Sequence, residues 1–410
     1  MNIAVAQSGG PTVAINASLL GVFKEALRVS EIEKIYGSVN GIEGVIKGNL
    51  VDLKSVLVTN EDMDLLAQTP STALGSCRYK LPDESKNPEV YKTITECFEN
   101  NNIKAFFYIG GNDSMDTVNK LSKYFKSINK DIKVIGVPKT IDNDLCETDH
   151  TPGFGSAAKY LATTLQEITR DSLVYDLKSV TVVEIMGRHA GWLAASSCLL
   201  HANGESAPHL IYLPECPFTV EGFLKDVENQ LKEHNSVIVA ISEGITLAKP
   251  EQAEVHQADG FGHVALSGIG KQLEKIISDE LKVKCRSIEL NVMQRCSSHL
   301  ASLTDINEAM EIGSTAVKAA MNGETGKMMA FRRVSDMPYT VKIVSVDADK
   351  VANNERFFPS EWINDEQNNV KDEALAYFLP LIKGEQTIKT NNGLPVHFKI
   401  GNILKYFKIF

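Results

Sequence analysis

Five short apolar runs in this chain each stop at a polar turn. Most of the turns carry glycine, and a helical pattern follows most of them. Residues 3–6 run into Ser8-Gly9-Gly10-Pro11-Thr12 and then a helical pattern over about 14–29. Residues 105–109 run into Gly110-Gly111-Asn112-Asp113-Ser114, with a helical pattern over about 115–128. Residues 134–137 stop at Pro138, residues 179–186 run into Gly187-Arg188-His189, and residues 237–241 into Ser242-Glu243-Gly244. Apolar strands that alternate with helices leave few folding solutions: each helix carries the chain back so that the next strand can lie parallel to the last. The loops at the carboxyl ends then gather along one edge, where open α/β sheets bind ligands. The expected fold class is therefore α/β, with doubly wound parallel sheets.

At 410 residues the chain exceeds what one core usually organises, so two units, or one with a large extension, are expected. The formal net charge of −10, with no long basic run, argues against nucleic acid or an anionic membrane as partner. Local clusters of Arg and Lys can still hold small anions. No apolar run is long enough to span a bilayer, and the first residues read as a strand, not a signal peptide. The seven cysteines are scattered and odd in number, with no C-x-x-C pair. Reduced thiols in a cytoplasmic protein are expected, with neither a disulfide framework nor a zinc site.

The chemistry concentrates at Pro138-Lys139-Thr140-Ile141-Asp142-Asn143-Asp144. If the segment stays extended, Thr140, Asp142 and Asp144 point to one side. Two carboxylates beside a lysine suit phosphoryl transfer: one accepts a hydroxyl proton, another holds a metal, and the lysine neutralises phosphate charge. Gly9-Gly10 before a helix exposes backbone N–H groups to an anion, though no Gly-Lys-Ser/Thr closes a Walker A loop. Asn112 and Asp113 add oxygen ligands for a hard cation such as Mg²⁺. Arg188, Glu243, Arg286 and Arg295 place three cations and a carboxylate at expected strand ends, a set that suits a sugar phosphate. Arg78 adds a cation in a small-residue loop. Gly153-Phe154-Gly155-Ser156-Ala157-Ala158 matches a dinucleotide fingerprint, but a turn precedes it instead of a strand, so it reads as a helix start. Taken singly, each feature has a plain alternative as a polar turn or a surface ion pair.

Taken together and in this order, these motifs closely resemble the phosphofructokinase family over about residues 1–335. The set comprises Gly9-Gly10, Gly110 to Ser114, Pro138 to Asp144, Met186-Gly187-Arg188-His189-Ala190-Gly191, Ser242-Glu243-Gly244 and Gln294-Arg295. The resemblance implies phosphoryl transfer to the 1-hydroxyl of fructose 6-phosphate. In it, Asp142 is the general base, Thr140 positions it, and Asp144 supports the metal region with Asn112, the metal being Mg²⁺. Arg188 stabilises the transferring phosphoryl group, Met186 and Gly187 shape the sugar site, and Glu243 holds sugar hydroxyls. Arg286 and Arg295 grip the 6-phosphate, one of them typically arriving from a neighbouring subunit. Gly10 touches the donor phosphates, and Arg78 reaches towards the transferring group.

Members that use ATP resemble Gly-Gly-Asp-Gly-Ser and Pro-Gly-Thr-Ile-Asp-Asn-Asp. Here Asp113 and Lys139 replace a glycine in each motif, which looks like the pyrophosphate-dependent branch. The anionic side chain occupies the place of a nucleotide's α-phosphate, and the cation compensates for the short donor. The implied reaction is reversible and belongs to glycolysis and gluconeogenesis. Rival readings keep the fold with ATP as donor, or make the chain a non-catalytic sugar-phosphate-binding subunit. A variant of the lead reading also phosphorylates sedoheptulose 7-phosphate.

The chain departs from the family pattern at several places. Asn112 stands for the usual aspartate, Val292 for a His or Tyr near the 6-phosphate, and Ser179, beside Lys178, for a subunit-bridging arginine. Leu20 and Lys24 stand where regulated ATP enzymes carry effector-binding arginines, so control of that kind is not expected. The expected division is a donor-binding unit over residues 1–145, a sugar-phosphate unit over 146–335 whose end packs back on the first, and a C-terminal extension over 336–410. A homodimer or homotetramer is expected.

Overall fold

The computed structural model describes residues 1–247 and 268–399. Residues 400–410 of the expected extension lie outside the described residues. The strands are β1 (Asn2–Gln7), β2 (Ile35–Ser38), β3 (Leu50–Asp52), β4 (Ile103–Gly110), β5 (Lys133–Pro138), β6 (Ser179–Ile185), β7 (Leu210–Tyr212), β8 (Ser236–Ser242), β9 (Lys284–Glu289), β10 (Lys327–Asp336) and β11 (Tyr339–Asp347). The helices are α1 (Ile15–Ala26), α2 (Gly41–Ile46), α3 (Asn60–Gln68), α4 (Pro88–Asn100), α5 (Asn112–Ser127), α6 (Phe154–Ser172), α7 (Trp192–Ala195), α8 (Val220–Glu233), α9 (Ile269–Leu281), α10 (Leu303–Met321), α11 (Ala348–Val351) and α12 (Glu373–Phe378).

Alternation along the first strands shows why the early apolar runs are continuous. Ile3, Val5, Phe107, Ile109, Ile135 and Val137 face one core, whereas Ala4, Ala6, Phe106, Tyr108 and Val134 face another. A strand buried on both faces has no polar side, and helices must cover it twice. On one face α1 supplies Leu19, Leu20 and Phe23, and α10 supplies Ile312, Ala316 and Val317. On the other, α4 supplies Ile94 and Phe98, and α5 supplies Val118, Leu121 and Phe125. Truncating one of these fully buried rings, such as Phe107, costs about 3–5 kcal/mol by the usual range for Phe→Ala in a core. The crossing of α1 on α10 is close enough to require glycine. A Cβ on Gly21 would lie 2.0 Å from the Met310 carbonyl oxygen, and one on Gly313 would lie 2.2 Å from that of Ser18.

The strand order of this sheet is β11-β10-β5-β4-β1-β2-β3. Its five interior strands are parallel; β3 and β11 pair antiparallel at the two edges, where the sequence had suggested parallel strands throughout. The hairpin from β10 to β11 turns at Met337-Pro338, so the boundary expected near 336 falls on a turn within this sheet. The second sheet, β7-β8-β6-β9, is parallel throughout. Helices α6 and α7 cover one face of it; Phe223 and Val227 of α8 and Leu273 and Ile277 of α9 cover the other.

After β11 the chain crosses to this second core, where Phe358, Tyr377, Phe378 and Leu381 join Trp192 and Leu193. The charged stretch 366–381 has a helical sequence pattern, but it forms only α12 and the start of one 3-10 turn (Leu379–Ile382). Residues 364–369 instead form an asparagine-bonded turn, in which Asn364 Oδ1 accepts from the Asn368 and Asn369 N–H groups. Asn side chains compete with helix hydrogen bonds in this way.

Candidate active site

The carboxyl ends of β1, β4 and β5 face those of β6 and β8 across a cleft of about 1010 Å³. Gly10, Arg78, Asn112, Asp113, Lys139, Thr140, Asp142, Asp144, Met186, Arg188, Glu243 and Arg295 all line it. Gly187 sits beside it with its N–H directed at Glu243 Oε1, 3.4 Å away. Arg286 does not reach the cleft of its own chain. It lies third in β9, opposite Thr181, and pairs with Asp171 at 3.3 Å. Arg286 lies near the start of its strand, which begins two residues before it, whereas Arg295 follows the strand's carboxyl end in a 3-10 turn.

On one wall, the β1 turn forms a cradle. Gly9 has φ +76°, a left-handed conformation that disfavours side chains. A Cβ on Gly9 would lie 3.2 Å from Lys139 Nζ, and one on Gly10 would lie 3.2 Å from an Arg295 guanidinium nitrogen. Two cations thus close over bare backbone. Lys139 Nζ donates to the Gly10 carbonyl at 2.7 Å, and its side chain is buried. Burial pulls its pKa down to about 8, against the pull of Asp142 and Asp144. A bound anion would restore the charged form.

Helix α5 begins at Asn112, three residues earlier than the sequence pattern placed it. Its N-terminus faces the cleft, and such a terminus favours negative charge. Asp113, in the first turn, supplies that charge from the protein itself, with Lys80 Nζ 3.6 Å away. The neighbouring Asn112 Oδ1 is buried and has no hydrogen-bond partner in the structure.

Lys139 to Asp144 are not extended, which corrects the expected alternation. Asn143 takes a left-handed φ of +55°, a conformation that Asn tolerates better than most residues. This reversal is what lets Asp142 and Asp144 both line the cleft while Asn143 turns inward to bond Tyr377. The Thr140 hydroxyl donates to Asp142 Oδ2 and accepts from the Asp142 N–H, both at 3.1 Å. Burial raises the Asp142 carboxyl above the ordinary range, partly offset by Thr140 and Lys139. Burial and the Asp142 charge push Asp144 up to about 7. Glu243, on the opposite wall, also rises to about 7, by burial and then by Asp142. Two carboxyl groups near 7, beside a third that burial also raises, suit proton transfer and cation binding. An orphaned amide oxygen lining the same cleft as Asp142 and Asp144 is a donor set that fits a hard divalent cation completing its shell with substrate oxygens.

The acceptor wall is held from behind. Gln294 Oε1 accepts from the Met186 N–H at 3.1 Å, which ties the 3-10 turn carrying Arg295 to the end of β6. Ser242 Oγ donates to the Gly187 carbonyl at 2.5 Å and fixes the turn before Arg188. A Cβ on Gly244 would lie 1.9 Å from the Arg188 carbonyl oxygen, so this close approach requires glycine.

Sequence reasoning missed part of the lining. His189 was quoted in a motif but given no role; it reaches Glu355 Oε1 at 2.9 Å across the cleft mouth. Asn353, Asn354, Glu355 and Phe357, within the expected C-terminal extension, also line the cleft. They follow a helix of one turn and no glycine, so the strand–turn–helix signal that found the other loops is absent there.

Comparison with known proteins agrees with this geometry. The profile of the family described as Phosphofructokinase matches residues 2–320. The pyrophosphate–fructose 6-phosphate 1-phosphotransferase of Halomonas elongata is 37% identical, covering 99% of this chain and 96% of its own length. That of Xanthomonas campestris pv. campestris is 39% identical, covering 98% and 96%. A crystal structure of the pyrophosphate-dependent phosphofructokinase from Marinobacter aquaeolei superposes with a TM-score of 0.86 at 36% identity, covering 97% of this chain and 95% of that one.

Proposed function

The chain belongs to the phosphofructokinase family, and we propose that its cleft transfers a phosphoryl group from pyrophosphate to the 1-hydroxyl of fructose 6-phosphate. The chain is a pyrophosphate-dependent phosphotransferase, and its reaction is reversible, giving fructose 1,6-bisphosphate and phosphate in glycolysis and gluconeogenesis. The observation that carries the site reading is the cradle of Gly9 and Gly10 beneath Lys139 and Arg295, in one cleft with the buried carboxylate of Asp142.

Asp142 takes the proton of the 1-hydroxyl while the hydroxyl oxygen attacks the nearer phosphorus of the donor. The bond from that phosphorus to the bridging oxygen breaks, and phosphate leaves. Thr140 fixes the carboxylate's orientation through its hydroxyl. Lys139 neutralises the departing phosphate, and Gly10 offers its backbone to the donor. Arg188, with Arg78, stabilises the equatorial oxygens of the phosphoryl group in flight. Positioning and charge neutralisation of this kind supply most of the catalysis in phosphoryl transfer.

On the acceptor side, Glu243 holds sugar hydroxyls, Met186 and Gly187 shape the wall, and Arg295 holds the 6-phosphate. Arg286, on an edge strand outside its own cleft, serves the 6-phosphate of a neighbouring subunit in a homodimer or homotetramer. Mg²⁺ is the cation read for Asn112 and Asp144, where it would neutralise donor charge. Asp113 excludes a nucleotide by placing a carboxylate at the α5 N-terminus, where a further phosphate would otherwise bind. The cytoplasm is the compartment proposed. Among the described residues no helix is long and apolar enough to cross a membrane.

Initial rates with fructose 6-phosphate and Mg²⁺, pyrophosphate against ATP, test the reading. Turnover with pyrophosphate alone is expected. Turnover with ATP alone would refute the roles of Asp113 and Lys139 and leave that of Asp142 standing.

A further inference from the structure

The segment 353–358 is the only part of the described chain after β11 that lines the cleft, and one side chain in it makes an unusual set of bonds. Arg356 sends its guanidinium into the back of the 142–149 loop. One terminal nitrogen donates to the carbonyls of Thr148 at 2.8 Å and Asp149 at 2.5 Å. The other donates to the Asn143 carbonyl at 2.9 Å, and Nε reaches the same oxygen at 3.3 Å. The backbone joins in: the Arg356 N–H donates to the Asp144 carbonyl at 2.8 Å, and Leu145 bridges to Glu355.

The same segment grips the opposite wall. The guanidinium carbon stands 4.2 Å from the Trp192 ring centre, and the Trp192 indole N–H donates to the Arg356 carbonyl at 3.0 Å. Glu355 holds His189. Glu215 Oε1 accepts from both the Gly191 and the Phe358 N–H, each at 2.8 Å. Glu355, Arg356 and Phe358 therefore tie the loop bearing Asp142 and Asp144 to the loop bearing Arg188.

We propose that Arg356 is a positioning residue for phosphoryl transfer, which fixes the turn through Asn143 and sets the base, Asp142, against Arg188 across the cleft. The inference rests on the roles given above to Asp142 and Arg188. The physical reason lies in the left-handed Asn143. Its carbonyl direction decides the plane of the peptide joining Asn143 to Asp144, and so the directions in which the two flanking carboxylates leave the chain. Two N–H donors on that single oxygen, with two further carbonyls bound on the other side of the same planar fork, leave the peptide no room to rotate. A lysine cannot reproduce this, since one ammonium cannot meet three separated carbonyls with fixed angles.

Arg356→Lys keeps the charge and loses the fork. The test compares it with the wild type in steady-state kinetics with pyrophosphate and fructose 6-phosphate, and in hydrogen exchange of the ligand-free proteins. A fall in kcat of about 10²-fold is expected, the scale for misplacing a reacting group by roughly an ångström, with both KM values within about threefold. Amide exchange should quicken over residues 142–149 and stay unchanged in β1, β4 and β5. Glu355→Gln, which loosens only the His189 end, should lower kcat by less than Arg356→Lys and keep the fold intact should the first variant lose it. An Arg356→Lys kcat within threefold of wild type overturns the proposal, as does a loss confined to KM or to thermal stability. If the wild type itself fails to use pyrophosphate and fructose 6-phosphate, the assigned reaction fails. Exchange over 142–149 still decides the positioning role in that case, and unchanged protection there would overturn it.

Discussion

The two walls of the cleft are built by different means. The donor wall comes from β1, β4 and β5, the interior of a seven-stranded sheet, and its charges are packed: Lys139 is buried against a glycine turn, and Asp113 is fixed in the first turn of a helix. The acceptor wall comes from a four-stranded sheet whose edge strand, β9, carries Arg286, half-buried and outside the cleft lining. Within one chain the donor-wall charges meet in the cleft, whereas Arg286 pairs with Asp171 outside it. A wall closed by its own core can be tested by substitutions alone; one that ends on an edge must also be tested by dilution.

The sharpest break of this contrast is at the donor wall's base. Asp142→Asn should lower kcat by roughly 10²–10⁴-fold, the usual worth of general base catalysis, while calorimetry still detects fructose 6-phosphate binding. Unchanged turnover would remove Asp142 from the reaction. Next in size, Lys139→Met should reduce kcat/KM for pyrophosphate by about 10²–10³-fold, the scale for removing one preorganised charge donor, with the KM of the sugar phosphate little changed. A smaller effect is expected across the walls. Arg286→Ala should raise the KM for fructose 6-phosphate about tenfold and leave that of pyrophosphate alone, since a charged hydrogen bond is worth about 1.5–3 kcal/mol. Its wild-type counterpart should lose activity on dilution in step with dissociation seen by ultracentrifugation; constant specific activity through dissociation would return Arg286 to the role of a surface ion pair.

The mildest test is pH. Asp144 and Glu243 sit near 7 and Lys139 near 8, so kcat/KM should be bell-shaped, falling on the acid side as the carboxyls protonate and on the alkaline side as Lys139 discharges. Stability of the ligand-free protein should run the other way. Carboxyls raised in the fold oppose folding once ionised, so stability falls as pH climbs from about 4 towards 7. A lysine lowered in the fold opposes folding while protonated, so that contribution returns as pH passes from about 8 towards 10. Thermal melts across this range, with and without pyrophosphate, check the sign.

What the sequence disclosed and what it hid divide along physical lines. Lys139, Asp142, Arg188 and Glu243 stand at the ends of apolar runs, and a run buried on both faces announces itself without knowledge of its partners. The joint exposure of Asp142 and Asp144 was anticipated for the wrong reason, because extended alternation and a left-handed Asn143 lead to the same outcome. The crossing of α10 on α1 was not legible, because its closest approach is at Gly21 and Gly313, residues with no hydrophobic signal, although Ile312 and Val317 pack beside it. Arg356 was invisible because its guanidinium bonds carbonyls more than two hundred positions earlier, so nothing local marks it. Whether Arg286 belonged to the site turned on which strand edge it occupied, and periodicity does not order strands in a sheet.

The strand order has a consequence for synthesis. Strand β5 pairs on one side with β4, and on the other with β10, which follows the whole second sheet in the chain. While the ribosome is still making residues 139–326, the β5 edge presents unpaired backbone, beside a core that stays half-covered until α10 emerges. The nascent chain therefore passes through a stage in which its donor half is collapsed but unfinished. A transcript truncated before Lys327 should yield an aggregating fragment, not a small working domain.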